Sequence, residues 1–215
     1  MKLIVCEQGS EDWLAARAGA ITASCFSTAV DVLQRDGAKR KKGEPSAAAE
    51  KYAANIAIER ISGKPYGQPV KSWTLDRGHE LEAQARMLYE MQNEIMAMES
   101  GIVKTDDDWF GYSTDGLVGD DGLIEIKCPV DSVKIVEMLR TGDVSEYMHQ
   151  MQGGMWITGR KWCDFIMYVP DLEAAEKDLY IKRVMRDDDF IDDMVEKLFL
   201  FQGRIELLES FLRAA

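Results

Sequence analysis

Asp115, Glu125 and Lys127 are the residues whose types and spacing point most directly to chemistry. They lie in the stretch Ser113-Thr-Asp115-Gly-Leu-Val-Gly-Asp-Asp-Gly-Leu-Ile-Glu125-Ile-Lys127-Cys-Pro129. On a strand, residues i and i+2 share a face, roughly 6–7 Å apart. Glu125 and Lys127 then project together, while Ile124 and Ile126 face the other way. Gly119-Asp120-Asp121-Gly122 reads as a turn and folds Asp115 back beside them. Simple hairpin pairing places Asp115 near Ile126, between the two polar side chains; the sequence leaves the register open, and a bulge would shift it. Two carboxylates and an ammonium at a strand end suit metal-assisted phosphodiester hydrolysis. In that chemistry Asp115 and Glu125 hold one or two Mg²⁺, the Ile126 carbonyl is a further oxygen ligand, and Lys127 orients the attacking water. For Glu-x-Lys alone, the alternative is a solvated strand face carrying an ion pair.

The elements that must position these groups are read from periodicity and punctuation. Ser10 to Ala18 reads as a short helix, and Thr22 or Ser24 caps a second running to about Arg35. Pro45-Ser46 opens an Ala-rich helix that Gly63 ends. Trp73 to Gln92 is helical, with Leu75, Leu81, Ala85 and Leu88 on one face. The chain then turns to strand character at Ile95–Lys104, Trp109–Ser113, Leu117–Val118 and Leu123–Lys127, where Pro129 stops it. Helices over Ser132–Arg140 and Ser145–Ile157 follow, then strands over Trp162–Val169 and Leu179–Arg186. A long amphipathic helix from Phe190 to Arg213 is interrupted at Gly203. This order predicts an α/β (α+β) fold, a central mixed β-sheet flanked by helices, in a single domain over 1–215.

Composition narrows the function classes. A 215-residue chain with 46% hydrophobic and 30% charged residues fits an ordinary globular domain. No apolar run approaches the roughly 18 residues of a membrane span. The apolar stretch near the N-terminus is too short for a secretory signal, so a cytoplasmic location is expected. Cys6, Cys25, Cys128 and Cys163 form no C-x-x-C pair, and only His79 and His149 complement them, which leaves little for a zinc or iron–sulfur site. A formal net charge of −12 argues against nucleic-acid binding by bulk attraction. The one dense basic cluster is Lys39-Arg40-Lys41-Lys42. Tyr147, Met148, Met151, Met155 and Trp156, at helical spacing, read as packing residues.

A wider pattern resembles the lambda exonuclease family, phage-type alkaline exonucleases of the PD-(D/E)xK superfamily with a restriction-endonuclease-like core. It comprises Ser10-x-x-Trp13-x-x-x-Arg17-x-Gly19-x-Ile21-Thr22-Ala23-Ser24, Gly78-x-x-x-Glu82-x-x-Ala85-Arg86, Ser113-x-Asp115-Gly116, Glu125-x-Lys127-Cys128-Pro129 and Tyr147-Met148-x-Gln150-x-Gln152-x-x-Met155-Trp156, in order over about residues 7 to 170. The resemblance implies that Asp115, Glu125 and the Ile126 carbonyl bind Mg²⁺, with Mn²⁺ as the substitute, and that Lys127 serves the attacking water. It implies that Glu82 helps position that water, with Gln150 close by. Arg17, Ser24 and Ser113 match a pocket for the 5′-phosphate of a DNA end, chemistry that an Arg fork and two hydroxyls suit. A second Arg of that pocket is replaced here by Val133, with Lys134 beside it as a point charge. Leu75 lines up with a residue that wedges apart the terminal base pair.

The activity so implied is a Mg²⁺-dependent 5′→3′ exonuclease on double-stranded DNA ends. It releases 5′-mononucleotides and leaves 3′ single strands for recombination. A ring-shaped homotrimer and a single-strand annealing protein as partner are implied with it. The readings that compete are a PD-(D/E)xK endonuclease on the same core and a non-catalytic acidic protein that docks on a recombinase.

Overall fold

The computed structural model describes residues 1–37, 40–67 and 73–214, without the side chains of 73–76 and 79. Lys39 and the side chains of Leu75 and His79 therefore lie outside the described residues. In chain order the elements are β1 (Lys2–Ile4), α1 (Glu11–Arg17), β2 (Ile21–Thr22), α2 (Phe26–Ala29), α3 (Ala47–Ser62), α4 (Trp73–Asn93), β3 (Ala97–Met98), β4 (Ile102–Lys104), β5 (Phe110–Tyr112), β6 (Gly116–Val118), β7 (Gly122–Lys127), α5 (Ser132–Thr141), α6 (Met148–Thr158), β8 (Trp162–Tyr168), β9 (Leu179–Met185) and α7 (Asp188–Ala214). Among the described residues, no helix is long and apolar enough to cross a membrane. The described residues group into two compact units.

The first unit comprises residues 1–68, 101–113 and 187–215. Its four-stranded sheet has the order β1-β4-β5-β2, with β2 parallel to β5 and the other pairs antiparallel. The Ser10 side chain caps α1 by accepting from the Trp13 amide. Ser46 caps α3, and Gly63, in the left-handed region at φ 67°, ends it. Helices α3 and α7 pack together, and Tyr52 stacks on Phe201 with ring centroids 5.6 Å apart. Part of the basic run is answered nearby, because Arg40 pairs with Glu50 of α3 at 2.7 Å and Lys41 with Asp36 of the same loop at 3.5 Å.

The second unit comprises residues 69–100 and 114–186. Its five-stranded sheet has the order β3-β6-β7-β8-β9, antiparallel except for the parallel pair β7–β8. This is the mixed sheet flanked by helices that the sequence predicts. Ala85 and Tyr89 of α4 bury one face of it, against Ile124, Ile126, Ile166 and Tyr168. Alternation along β7 sends Glu125 to the opposite face, where Phe165 stacks on Tyr147 at 4.9 Å. Met151 and Met155 of α6 are fully buried, as packing residues should be.

Several expectations are corrected. The helix expected to run to about Arg35 is the four-residue α2. Beyond it the chain folds back, with the Leu33 amide donating to the Glu44 carbonyl and a bridge between Val32 and Pro45. The single strand expected over Ile95–Lys104 is two short strands, β3 and β4, in different sheets. The break falls at Gly101, where a Cβ would meet the Ile4 carbonyl at 2.5 Å. Helix α7 continues through Gly203. Strands β1 and β2 are too short to carry a periodic signal.

The hairpin that carries the candidate site has a three-residue loop, since Val118 pairs with Gly122. Arg160 fastens it by donating to the carbonyls of Val118, Gly119 and Gly122. A Cβ on Gly122 would meet the Trp162 ring at 2.2 Å. Gly122→Ala should therefore destabilise the protein by about 1–3 kcal/mol, the usual cost of overpacking. Urea denaturation checks this, and Trp162→Leu in the same chain should recover most of the loss.

Candidate active site

The β6–β7 register pairs Gly116 with Ile124, and extending it by one residue brings Asp115 opposite Glu125. Strict pairing thus sets Asp115 one residue from Ile126, while its side chain lies near Ile126 as simple hairpin pairing predicts. The chain bends at Asp115, just outside the ladder, and its Oδ2 accepts a 2.6 Å hydrogen bond from the Ile126 amide. The carboxylate thereby takes the place of a strand partner at that amide.

Glu125 is 1% exposed. Its Oε1 accepts from the Lys127 ammonium at 2.5 Å and from Gln150 Nε2 at 2.5 Å. A buried carboxylate needs such partners, since an unpaired buried charge is costly. Burial works against the Lys127 ammonium, yet the Glu125 and Asp115 carboxylates outweigh it and hold its pKa above the usual lysine range. Asp115 moves the other way from an ordinary carboxylate. Burial pushes it up to about 6, Lys127 opposes that rise, and Glu82 adds to it. Glu82 lies on α4 within electrostatic reach of Asp115, Lys127 and Cys128. Burial, with Glu82 adding to it, pushes the Cys128 thiol up to about 12, so it is not a nucleophile.

Asp115, Glu125, Lys127, Glu82, Gln150 and the Ile126 peptide thus form one group in the second unit. Among the described residues, no three His, Cys, Asp or Glu side chains gather to hold a metal. The hard-cation donors are the carboxylates of Asp115 and Glu125 together with backbone oxygen. The carboxylates of buried Glu125, half-buried Asp115 and Glu82 face two cations, Lys127 and Arg86, and burial is the first cause of the raised Asp115 pKa.

Arg17, Ser24 and Ser113 form a second group, in the first unit. The Arg17 guanidinium donates to Ser113 Oγ at 3.4 Å and to Thr22 Oγ1 at 3.2 Å, and it lies over the Trp13 ring at 4.3 Å. Trp13 Nε1 donates to Ser113 Oγ at 2.9 Å. Ser24 Oγ lies 3.4 Å from Thr22 Oγ1, so it joins Arg17 through that hydroxyl. Burial lowers the Arg17 pKa, against the pull of Cys25, Tyr52 and Glu59. A half-buried guanidinium bonded to neutral hydroxyls is suited to an anion. Trp13 and Thr22 belong to the same sequence motif, but their contacts with Arg17 were not foreseen from it. The helix after Ser24 is too short to supply an N-terminal dipole. Lys134 is held by both carboxylate oxygens of Glu146, at 2.6 and 2.7 Å, and lies over the Tyr147 ring.

Residues 12–161 match the YqaJ-like viral recombinase domain family. The chain belongs to that family. An alkaline exonuclease (LHK-Exo) from Laribacter hongkongensis is 33% identical to this recombinase-family protein, with 95% of this chain and 97% of the other covered and a TM-score of 0.80. The same exonuclease in complex with dAMP superposes with a TM-score of 0.81 at the same identity and coverage. A phage-related exonuclease from Haemophilus somnus 129PT shares the fold, at 18% identity, 90% and 96% coverage and a TM-score of 0.69. No curated protein matches the chain. The family member described here is accordingly a nuclease with the alkaline exonuclease fold.

The raised Asp115 pKa has a consequence for metal-free protein. Its ordinary value is 3.8 and its folded value about 6, so ionisation costs the folded state. The stability held by the protonated carboxyl is complete below about pH 4 and lost as the pH rises through about 6. Asp115→Asn should abolish that loss. Denaturant midpoints in chelator between about pH 4 and about pH 8 check it, and a parallel pH profile for the variant would contradict it.

Proposed function

We propose that this nuclease is a Mg²⁺-dependent 5′→3′ exonuclease that starts at double-stranded DNA ends, releases 5′-mononucleotides and leaves 3′ single strands for recombination. The observation that carries the reading is the cluster of Asp115, buried Glu125 and charged Lys127 in a chain with the alkaline exonuclease fold. The relative's complex with dAMP fits a mononucleotide product.

The residues divide the work as follows. Mg²⁺, or Mn²⁺ in its place, fits the hard oxygens of Asp115, Glu125 and the Ile126 carbonyl, and one or two such ions would supply Lewis-acid stabilisation of charge on the phosphate. Gln150 keeps Glu125 oriented through its 2.5 Å bond. Lys127, held protonated by its carboxylates, donates to the attacking water or to a phosphate oxygen. Glu82 helps position that water. Arg17, with Ser113 and Ser24, takes the 5′-phosphate, so that cutting begins at an end. Lys134 is already paired with Glu146, which weakens it as a substitute for the missing Arg. Selection for 5′-phosphate then rests on Arg17.

A homotrimeric ring and a single-strand annealing protein complete the proposal. Enclosure would reconcile DNA processing with a net charge of −12, because repulsion at range is screened within roughly 8 Å at physiological salt. Processive cutting in the presence of competitor trap is the expected outcome at moderate salt, and distributive cutting at all salts opposes the ring.

Linear duplex labelled at one 5′ end should release labelled mononucleotide only with Mg²⁺, and closed circular duplex should stay intact. Cutting of the circle would instead indicate an endonuclease. Lys127→Ala should slow release by roughly 10²–10³-fold, whereas a non-catalytic docking protein would have nothing to lose. Arg17→Ala should slow 5′-phosphorylated ends by roughly 10–100-fold, the worth of a charged hydrogen bond, and 5′-hydroxyl ends far less. Equal rates on the two ends in the parent protein would refute the pocket.

A further inference from the structure

Arg86 is the one charged side chain hydrogen-bonded to the Asp115 backbone among the described residues. It lies one helical turn beyond Glu82 on α4, so the two share a face of the helix. Its Nη1 donates to the Asp115 carbonyl at 3.0 Å, and its Nη2 pairs with Glu99. The neighbouring Ala85 and Tyr89 are fully buried against Ile124 and Ile126. The helix that carries Arg86 is therefore anchored on the strand that carries Glu125 and Lys127.

Asp115 needs such a hold. It sits at a bend just outside the β6–β7 ladder, so regular strand pairing does not fix its peptide. Thr114 Oγ1 accepts from the Gly116 amide at 3.2 Å and donates to the Gly116 carbonyl at 2.9 Å, which shapes the bend from one side. Arg86 secures it from the other. The Arg86 side chain is 19% exposed, against 72% for Glu99. A pair so open on one side contributes little by itself. The contact that requires a sheltered guanidinium is the one to the Asp115 carbonyl. Without it that carbonyl loses its donor, and the peptide is free to turn.

We propose that Arg86 is a positioning residue: steadied by Glu99, it holds the Asp115 peptide so that the Asp115 carboxylate stays on the Ile126 amide, facing Lys127. Its consequence for catalysis rests on the reading above, in which Asp115 holds a divalent ion.

The test compares Arg86→Met, Arg86→Lys and the parent in three measurements. The first is hydrogen exchange at the Ile126 amide in metal-free protein. It should quicken by roughly tenfold or more in Arg86→Met, with Ile124 unchanged. The second is Mg²⁺ affinity by calorimetry without DNA, expected to fall by roughly 10–100-fold. The third is the kinetics on linear duplex, where kcat should fall about as far as the metal affinity and KM for DNA should stay within about twofold. Arg86→Lys keeps a donor and a charge, and it should recover most of each loss. An Arg86→Met protein with the parent's Ile126 exchange and Mg²⁺ affinity overturns the proposal. If that variant does not fold, Arg86→Gln replaces it under the same criteria. A parent without Mg²⁺-dependent cleavage would sink the proposed function, while Ile126 exchange would still decide the role of Arg86.

Discussion

Everything at the candidate site depends on one electrostatic arrangement: the Lys127 ammonium bonded to the buried Glu125 carboxylate, with the Asp115 carboxylate within electrostatic reach. Charges taken out of water are tolerable only when they answer one another. Glu125, at the centre of the sheet, is answered by Lys127 and Gln150. Asp115 is answered by the Ile126 amide and, through space, by Lys127 and Arg86, yet burial outweighs them and pushes its carboxyl up to about 6. With Glu82 the carboxylates outnumber these two cations, a surplus of negative charge that a hard cation would relieve.

The rest of the second unit makes that arrangement rigid. The three carbonyls gripped by Arg160 hold the loop between β6 and β7, and the apolar cluster under Ile124 and Ile126 fixes the face that β7 turns away from the site. A second buried charge lies in the next strand, where Asp164 is bonded to Tyr89 at 2.6 Å and to Arg183 at 2.8 Å twice over. It is fully answered by neighbours, unlike Asp115.

The first unit solves a different problem with the same economy. Arg17 is sheltered by Trp13 and bonded to the hydroxyls of Thr22 and Ser113, not to a carboxylate. Its charge is therefore kept in place without being neutralised. Elsewhere in this unit Arg60 is answered by a carboxylate, Glu209, at 2.7 Å. A long acidic helix, α7, is accommodated by turning Ile191, Met194, Leu198, Phe201 and Ile205 inward.

Much of this was legible in the residues alone. Alternation along Leu123–Lys127, the helix start at Ser10, the opening at Pro45-Ser46 and the stop at Gly63 are local signals, and each element they announce is present. The five ordered motifs pointed to the family, and the family match bears them out. Local signals do not carry register or partnership. Whether Asp115 lies opposite Glu125 or Ile126 depends on the length of the loop that Arg160 and Trp162 constrain from elsewhere in the chain. The splitting of Ile95–Lys104 between two sheets depends on the close approach of Gly101 to Ile4. The residue types capable of chemistry were a property of the sequence, because side-chain chemistry is intrinsic. Which of them share a charge, and which stays unsatisfied, was decided by tertiary packing, because burial and neighbours set the cost of ionisation.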